Sequence, residues 1–253
     1  MALLLSLICI YLLSGCCASI LYHRVLAHGA IRLKPWFEKM LVVIALPAGT
    51  PIQWAGTHRQ HHLYTDRPED PHSPIIYGFW YAHCGWYISC KNKFVCILYA
   101  ALGSYRMFFD AYWRPRHRLE YNNLAADIAA QSFYEKISRP AVYTAVLFFY
   151  GLLLHFCYFF IWGWQGLFLL WLVFLIIYNL GDSVNSFGHV QQPGGNAGPI
   201  NNSRVNLFIM GEGYHKNHHL KPHLINPSGK RFSGSKIMLE LWLKLGLART
   251  LTH

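Results

Sequence analysis

The sequence has few charged residues, and acidic residues are the scarcest of them. Among 253 residues there are 11 Asp and Glu and 22 Lys and Arg, so charged residues make up 13% of the chain. This is about half the share that is usual in soluble globular domains. Apolar residues make up 54% and aromatic residues 16%. The composition therefore favours a membrane protein over a soluble domain.

The sequence also lacks two other patterns. No pair of its seven cysteines has the C-x-x-C spacing that is typical of zinc and redox sites, and four of them lie within apolar runs. We therefore interpret all seven cysteines as small buried hydrophobic residues.

The net charge of +11 comes from basic residues that flank apolar runs. Because these residues form no basic face with interleaved aromatics, we expect no nucleic-acid partner.

Two apolar runs are long enough to cross a bilayer. Residues 1–22 carry no charge and would form a helix of about 30 Å, which is the thickness of the hydrocarbon core. Basic residues follow this run and none precedes it, so its C-terminal end is expected in the cytoplasm. Residues 140–181 contain no Asp, Glu, Lys or Arg and would form a helix of about 60 Å. This second run must fold back, and the glycines at Gly163 and Gly166 predict the turn.

The predicted fold class is all-α, an integral membrane helical protein with a cytoplasmic helical cap that holds a di-metal site. We expect one domain over residues 1–253, with membrane helices at about 1–22, 140–161 and 166–188. A segment at about 40–56 is interrupted by Pro47, Gly49 and Pro51, and we interpret it as interfacial or half-inserted. The remainder is assigned to the cap.

Histidine occurs 15 times, and its spacing is the main functional signal. The spacing H-x-x-H-H occurs at residues 58–62 and again at 215–219. On a helix, residues three and four positions apart share a face, so each copy would present three neighbouring imidazoles. Two copies of one pattern indicate one shared metal site. Together with two shorter segments, the candidate ligands are His23, His28, His58, His61, His62, His189, His215, His218 and His219.

The predicted topology brings all of these histidines to the cytoplasmic face, and nine ligands are more than one ion can use. We therefore expect two metal ions. All-nitrogen sites accept iron, zinc or copper, so the donor set leaves the metal open. Asn185 lies one helical turn before His189 and could bind a metal through a water molecule. By contrast, we interpret His83, His155 and His253 as ordinary hydrogen-bonded structural residues.

Carboxylates near the histidines could orient the imidazoles by accepting their second N–H. Asp66 and Asp70 are also compatible with a simple role in a turn. A carboxylate near membrane depth is costly unless it has a partner, which makes Asp182 the more suggestive candidate. The four candidates are Asp66, Asp70, Asp182 and Glu212.

A family pattern joins these segments. The chain carries His23-Arg24-Val25-Leu26-Ala27-His28, then Trp54 to His62 followed by Asp70-Pro71-His72, then Asn185-Ser186 with His189, and finally Gly211-Glu212-Gly213-Tyr214-His215-Lys216-Asn217-His218-His219. Together these segments resemble the membrane fatty acyl-CoA desaturases of the stearoyl-CoA (delta-9) type. The resemblance runs from about residue 8 to residue 245.

The resemblance implies a non-haem di-iron centre that is held by the nine histidines and a water-bridged Asn185, with zinc as a possible substitute. It also implies an enzyme that removes two hydrogens from a methylene pair of an acyl chain, using O₂ and two electrons. The acyl chain would arrive on CoA or another carrier, and Arg59, Trp54, Lys91 and Lys93 would face the substrate.

The chain departs from the family pattern in three ways. Family members usually have two helices before the first histidine pair, whereas one fits here, so we expect that a first helix is absent or lies upstream. Thr57 stands where the family often has Asp. Gln192-Pro193-Gly194-Gly195 lacks the histidine of a haem-binding His-Pro-Gly-Gly motif. We therefore expect no haem domain, and a separate electron donor such as a ferredoxin or a b-type cytochrome with its reductase.

Two other functions remain open from the sequence. A related membrane di-iron hydroxylase or ketolase would use the same ligands and add oxygen to the lipid instead of forming a double bond. A non-enzymatic, histidine-rich metal-binding or transport protein is the second alternative. Transport predicts ionisable residues along the apolar pathway, and residues 140–181 offer only His155.

Overall fold

The computed structural model describes residues 1–114, 123–191, 197–229 and 231–250. Residues 192–195 and His253, which are named above, lie outside these ranges. The helices are α1 (Ala2–Cys16), α2 (Pro35–Ala45), α3 (Pro51–Tyr64), α4 (Pro74–Tyr77), α5 (Phe79–His83), α6 (Lys93–Ala100), α7 (Arg106–Trp113), α8 (Ala126–Ala129), α9 (Ser132–Ser138), α10 (Pro140–Phe187), α11 (Ser203–Asn206), α12 (His215–Leu220) and α13 (Gly234–Lys244). The strands are β1 (Ile31–Leu33), β2 (His189–Gln191), β3 (Ala197–Pro199) and β4 (Ala248–Thr250).

The first apolar run forms one continuous helix that is longer than the predicted 1–22. Helix α1 passes without a break into a π-helix over Cys17–Ala27, and the two together make a 26-residue apolar helix. The π-helical part is buried and carries His23 and Arg24 on the helix itself. π-Helical segments are uncommon and are often found at functional sites. The first candidate ligand, His23, therefore lies on a wide, buried turn of the helix itself, beyond the predicted end at residue 22.

The segment predicted at about 40–56 is divided between two helices. Helix α2 ends at Ala45, a 3₁₀ turn follows over Leu46–Ala48, and Gly49 has a φ of 116° that favours glycine. Pro51 then begins α3, where proline is well tolerated because the first turn needs no N–H donor. The two helices meet at an angle of 70°. This sharp bend directs α3 and its histidines, and the interfacial or half-inserted position of the segment stays a prediction.

The second apolar run, α10, is a helical hairpin. Its backbone is non-helical at Gly163, which has φ 60° and ψ −149°, in the stretch where the sequence predicts the turn. His155 contacts the Ser104 hydroxyl at 2.9 Å, and the Trp171 indole donates to the Ala101 carbonyl at 3.1 Å. In a straight helix His155 and Trp171 would be separated by about 24 Å. Because both contact the same short segment, the two arms lie side by side.

The all-α fold class is confirmed, with only two short antiparallel strand pairs, β1 with β4 and β2 with β3, among the described residues. In the part of the chain that the structure describes, two helices, Ala2–Ala27 and Pro140–Phe187, are long and apolar enough to cross a membrane. The number rises to four if each of two bent helix pairs is one span.

Cys9 is exposed on α1, so the expectation that every cysteine is buried was wrong there, and all seven cysteines are free.

Candidate metal centre

Four segments of the fold bring the nine candidate histidines together. The π-helix, α3, the start of β2 and α12 each contribute, and the imidazoles divide into two sets whose ligand atoms lie within 4.8 Å of one another. The first set has five members and the second has four. The first set is His23, His28, His58, His62 and His218, and the second is His61, His189, His215 and His219.

The Nε2 atoms of these imidazoles face one another. Nε2 of His218 lies 2.8 Å from that of His23 and 2.9 Å from that of His62. In the second set, Nε2 of His215 lies 2.9 Å from that of His189 and 3.1 Å from that of His219. Each Nε2 atom has either one proton or one lone pair, so it can take part in only one such hydrogen bond. The close packing of several Nε2 atoms is therefore better explained by a shared cation than by hydrogen bonds alone.

The distances also suit a transition metal. A ligand nitrogen lies about 2.1 Å from such an ion, and two nitrogens at a right angle are then about 3 Å apart. This matches the Nε2 separations of 2.8–3.1 Å in the two sets. The donor chemistry therefore fits a metal ion in each set.

Three carboxylates fix the orientation of three of the imidazoles. Glu212 accepts from Nδ1 of His23 at 2.9 Å, Asp70 accepts from Nδ1 of His61 at 2.9 Å, and Asp66 accepts from Nδ1 of His189 at 2.8 Å. Since a carboxylate can only accept, the proton must be on Nδ1 and the lone pair on Nε2. This is the tautomer that a metal ligand needs.

Burial and neighbouring groups keep imidazoles of this site neutral and Glu212 ionised, which favours the binding of a cation. Burial, and then the nearby His219, lower the pKa of His215 well below its usual value, and burial has the same effect on the pKa values of His218 and His219. These imidazoles are therefore neutral near pH 7. Burial alone would raise the pKa of Glu212, but the Arg24 charge at 2.9 Å and the hydrogen bond from His23 outweigh it and lower the pKa to about 2. Glu212 is thus an anion next to the first set.

A cavity of about 240 Å³ opens beside the histidines, and its wall is mostly apolar. His23, His58, His61 and His215 line it, and Asn185 lines it too. The predicted position of Asn185 near the second set is therefore compatible with a water-mediated contact. Trp54 also lines this cavity, and its ring stacks on that of His58 with centroids 5.0 Å apart.

The other three predicted substrate contacts, Arg59, Lys91 and Lys93, do not line the cavity. The Arg59 guanidinium pairs with Asp127 at 2.5 and 2.9 Å and donates to the carbonyls of Leu26 and Ala27. Arg59 therefore joins α3 to the π-helix and to α8, and its contact with substrate stays a prediction. Lys91 and Lys93 are exposed residues outside the cavity wall, and Lys91 lies 5.4 Å from the Tyr77 ring centroid.

Asp182 also has a different partner from the predicted one. Its carboxylate accepts from Arg106 at 2.7 Å and is buried with it, whereas we expected it to orient an imidazole. Charge explains the difference, because a buried guanidinium needs a carboxylate more than a neutral imidazole does. Asp182 therefore ties α10 to α7.

His72 is a site residue that the spacing argument missed. Its ring lies 4.5 Å from that of His61, and His61, Asp70 and His72 form a third group of potential ligand atoms. The D-P-H sequence that follows α3 was the only signal for it. His83 and His155 are hydrogen-bonded structural residues as expected, His83 to Ser186 and Asn179 and His155 to Ser104.

The sequence pattern of fatty acid desaturases matches residues 1–225, which include all nine histidines of the two sets. The chain belongs to the fatty acid desaturase family. This membership fits a chain with membrane-capable apolar helices, and it fits histidine clusters that are able to hold metal.

Curated relatives of this desaturase-family chain act on different carriers, according to their names. It is 30% identical over 210 residues to an acyl-CoA C20 Delta5-desaturase of Anemone leveillei, in an alignment that covers 78% of this chain and 56% of the relative. It is 31% identical over 207 residues to an sn-1 stearoyl-lipid 9-desaturase of Anabaena variabilis, covering 78% and 64%. A chloroplastic palmitoyl-monogalactosyldiacylglycerol delta-7 desaturase of Arabidopsis thaliana is 31% identical over 208 residues, covering 78% and 47%. The chain spans about half to two thirds of the length of these relatives.

Proposed function

We propose that this protein is a fatty acyl desaturase that inserts a cis double bond into an acyl chain at a histidine-ligated di-iron centre. The observation that carries the proposal is the pair of histidine sets beside an apolar cavity. An acyl chain is a long apolar substrate, and only a cavity of this kind can hold it next to a metal site. The family membership supports the same reaction class.

In this proposal the first histidine set holds one iron and the second set holds the other, with Asn185 at the second iron through a water molecule. Bound iron would supply the oxidising power that an unactivated C–H bond requires. The reaction consumes one CH₂–CH₂ unit, O₂, two electrons and two protons, and it yields one CH=CH unit and two water molecules. The electrons would come from a separate donor protein.

The chain's own residues would prepare and enclose the site. Glu212, Asp70 and Asp66 hold the Nδ1 protons of three imidazoles and so aim the Nε2 lone pairs at the metal positions. Trp54, stacked on His58, forms the wall where the cavity reaches the first set. The mostly apolar wall would exclude water from the acyl chain. We further propose that this face of the protein is cytoplasmic, and that the carrier is acyl-CoA in a reaction of the delta-9 type.

The test is turnover by the purified, iron-loaded protein in detergent with O₂, a chemical or protein reductant, and labelled stearoyl-CoA. We expect an olefin, located by mass spectrometry, and we expect loss of both product and bound iron in His218→Ala. A hydroxylated product without olefin would identify a membrane hydroxylase instead. Full turnover by His218→Ala would show that the two histidine sets are not the reacting centre.

The carrier is tested separately by offering the same chain as a glycerolipid ester. Turnover of the lipid ester but not of stearoyl-CoA would replace the acyl-CoA part of the proposal and leave the desaturase part intact.

A further inference from the structure

Two buried hydrogen-bond donors on the wall of the cavity have no acceptor among the described residues. They are Nη2 of Arg106 and the hydroxyl group of Tyr178, and both side chains line the cavity. Arg106 is 1% exposed and Tyr178 is 7% exposed, so bulk water does not reach them. A buried donor without a partner is costly, and most such donors in folded proteins are satisfied.

Neighbouring groups prevent Arg106 from turning away. Nη1 of Arg106 is paired with Asp182 at 2.7 Å, and the guanidinium carbon lies 4.3 Å from the Tyr99 ring centroid and 4.4 Å from that of Tyr178. Nε of Arg106 also lies 3.4 Å from Asp110, so two ion pairs and the surrounding rings hold the planar guanidinium and keep its remaining N–H groups in place. These donors are therefore preorganised for an acceptor that enters through the cavity.

The charges around the two donors indicate what kind of acceptor fits. The buried cations Arg106 and Arg114 are matched by the buried anions Asp110 and Asp182, and Asp110 lies 3.0 Å from Nε of Arg114. The cluster thus offers hydrogen-bond donors and has no formal net charge. A carboxylate or phosphate would be buried without a compensating cation, which is strongly unfavourable, whereas a neutral carbonyl oxygen needs only the donors.

We infer that Arg106 and Tyr178 bind the carbonyl oxygen of a neutral acyl ester or thioester. Asp182, the partner of Arg106, lies one helical turn before Asn185, and both residues line the cavity that the histidines line. A carbonyl held at this end would leave the apolar chain to run past the histidine sets. The number of carbons between the carbonyl and the metal positions would then be fixed, so Arg106 and Tyr178 act as positioning residues. This inference rests on the proposed desaturase function for its reaction, but its binding test does not.

The binding test uses the protein as purified, without reductant, in detergent micelles, with radiolabelled methyl stearate, octadecane and stearate. Hydrogen bonds to charged donors are worth about a tenfold change in affinity or more, so we expect methyl stearate to bind at least about tenfold more tightly than octadecane. Stearate, as an anion, should bind more weakly than the ester. Equal binding of ester and hydrocarbon would mean that water alone satisfies the donors, and the inference would fail. Tighter binding of stearate would overturn the neutral assignment.

The variant Tyr178→Phe removes one donor and keeps the ring that packs on Arg106. It should reduce the preference for ester over hydrocarbon about fivefold and leave octadecane binding unchanged. The matched control is Tyr143→Phe, because Tyr143 is also buried, donates to the Leu46 carbonyl at 3.1 Å and does not line the cavity. An unchanged preference in Tyr178→Phe, or an equal loss in both variants, would contradict the inference.

The second readout is the position of the double bond in turnover with labelled ester. Tyr178→Phe should broaden the distribution of double-bond positions, whereas Tyr143→Phe should not. If neither variant nor the wild-type protein turns over while the ester preference is present, the desaturase proposal fails and the carbonyl subsite stands. If turnover occurs and the double-bond position is the same in every variant, the positioning role is wrong.

Discussion

In three imidazoles of the cluster, the carboxylate that contacts Nδ1 determines which ring nitrogen carries the proton. For His189 this contact is Asp66, which lies on a turn 123 positions earlier in the chain. Burial would raise the pKa of Asp66, but the hydrogen bond from His189 outweighs it and lowers the pKa. Asp66 is therefore an anion that favours the metal-binding tautomer of His189.

Replacing this carboxylate tests the arrangement without disturbing the backbone. Asp66 has a φ of 56°, a left-handed conformation that asparagine also tolerates, so Asp66→Asn removes the charge with little strain. Loss of a partner that orients a ligand typically lowers metal affinity by about 10- to 100-fold. We expect this loss for one metal ion of the two, measured by competition with a chelator. The ion should be the one assigned to the second histidine set.

The control for that measurement is Asp127→Asn. Asp127 is a more exposed carboxylate that pairs with Arg59 and contacts no histidine of the two sets, so its removal should leave metal affinity unchanged. Equal losses in the two variants would mean that the effect of Asp66→Asn is a general change in charge.

Single residues show what the sequence could and could not predict about the site. The H-x-x-H-H spacing was sufficient to predict that six of the clustered histidines lie close together, because neighbours on one helical turn are fixed by helix geometry. The partner of Arg59 is 68 positions away and the partner of Asp182 is 76 positions away. Such pairs depend on how distant elements pack, and no local pattern predicts them.

At the scale of elements, the turn in α10 depends on one backbone conformation. Gly163 has φ 60° and ψ −149°, a region that is essentially open only to glycine, and a Cβ atom there would meet no atom within 4 Å. The cost of Gly163→Ala is therefore backbone strain without a clash, about 1–3 kcal/mol. We expect this decrease in the free energy of unfolding, measured by denaturant titration in detergent.

Gly181 offers the matched control in the same element. It also has open space where a Cβ would be, but its backbone is helical, so Gly181→Ala should be neutral or stabilising by up to about 1 kcal/mol. If both alanine variants lose stability equally, the hairpin does not depend on the special conformation of Gly163.

Where composition determines an element, the sequence was sufficient to predict where that element begins and ends. The length of the uncharged run and the glycines within it were enough to predict a hairpin at 140–188. The break between α2 and α3 was also predictable from Pro47, Gly49 and Pro51, but its 70° angle and the π-helix at Cys17–Ala27 were not. Both depend on packing around the histidine cluster, which local propensity does not describe.

In the whole molecule, the decisive feature is that the apolar helices bring histidines that are distant in sequence into one cluster. The π-helix at the end of the first apolar run and β2 after the second one both reach the centre that α3 and α12 complete. The two arms of α10 lie side by side. The turn at Gly163 is therefore at one end of the hairpin, and the end of α10 near His189 is at the other. If the arms cross a bilayer, the metal centre and the turn face opposite sides.

This arrangement predicts the orientation of the protein in a membrane. A membrane-impermeant thiol reagent should label Lys221→Cys, an exposed position at the end of α12, from the cytoplasmic side only. Trp164→Cys, next to the turn and 78% exposed, should be labelled from the opposite side only. The unmodified chain is the control, because its seven native cysteines set the background. Labelling of both positions from the same side would mean that α10 does not cross the bilayer as two antiparallel arms.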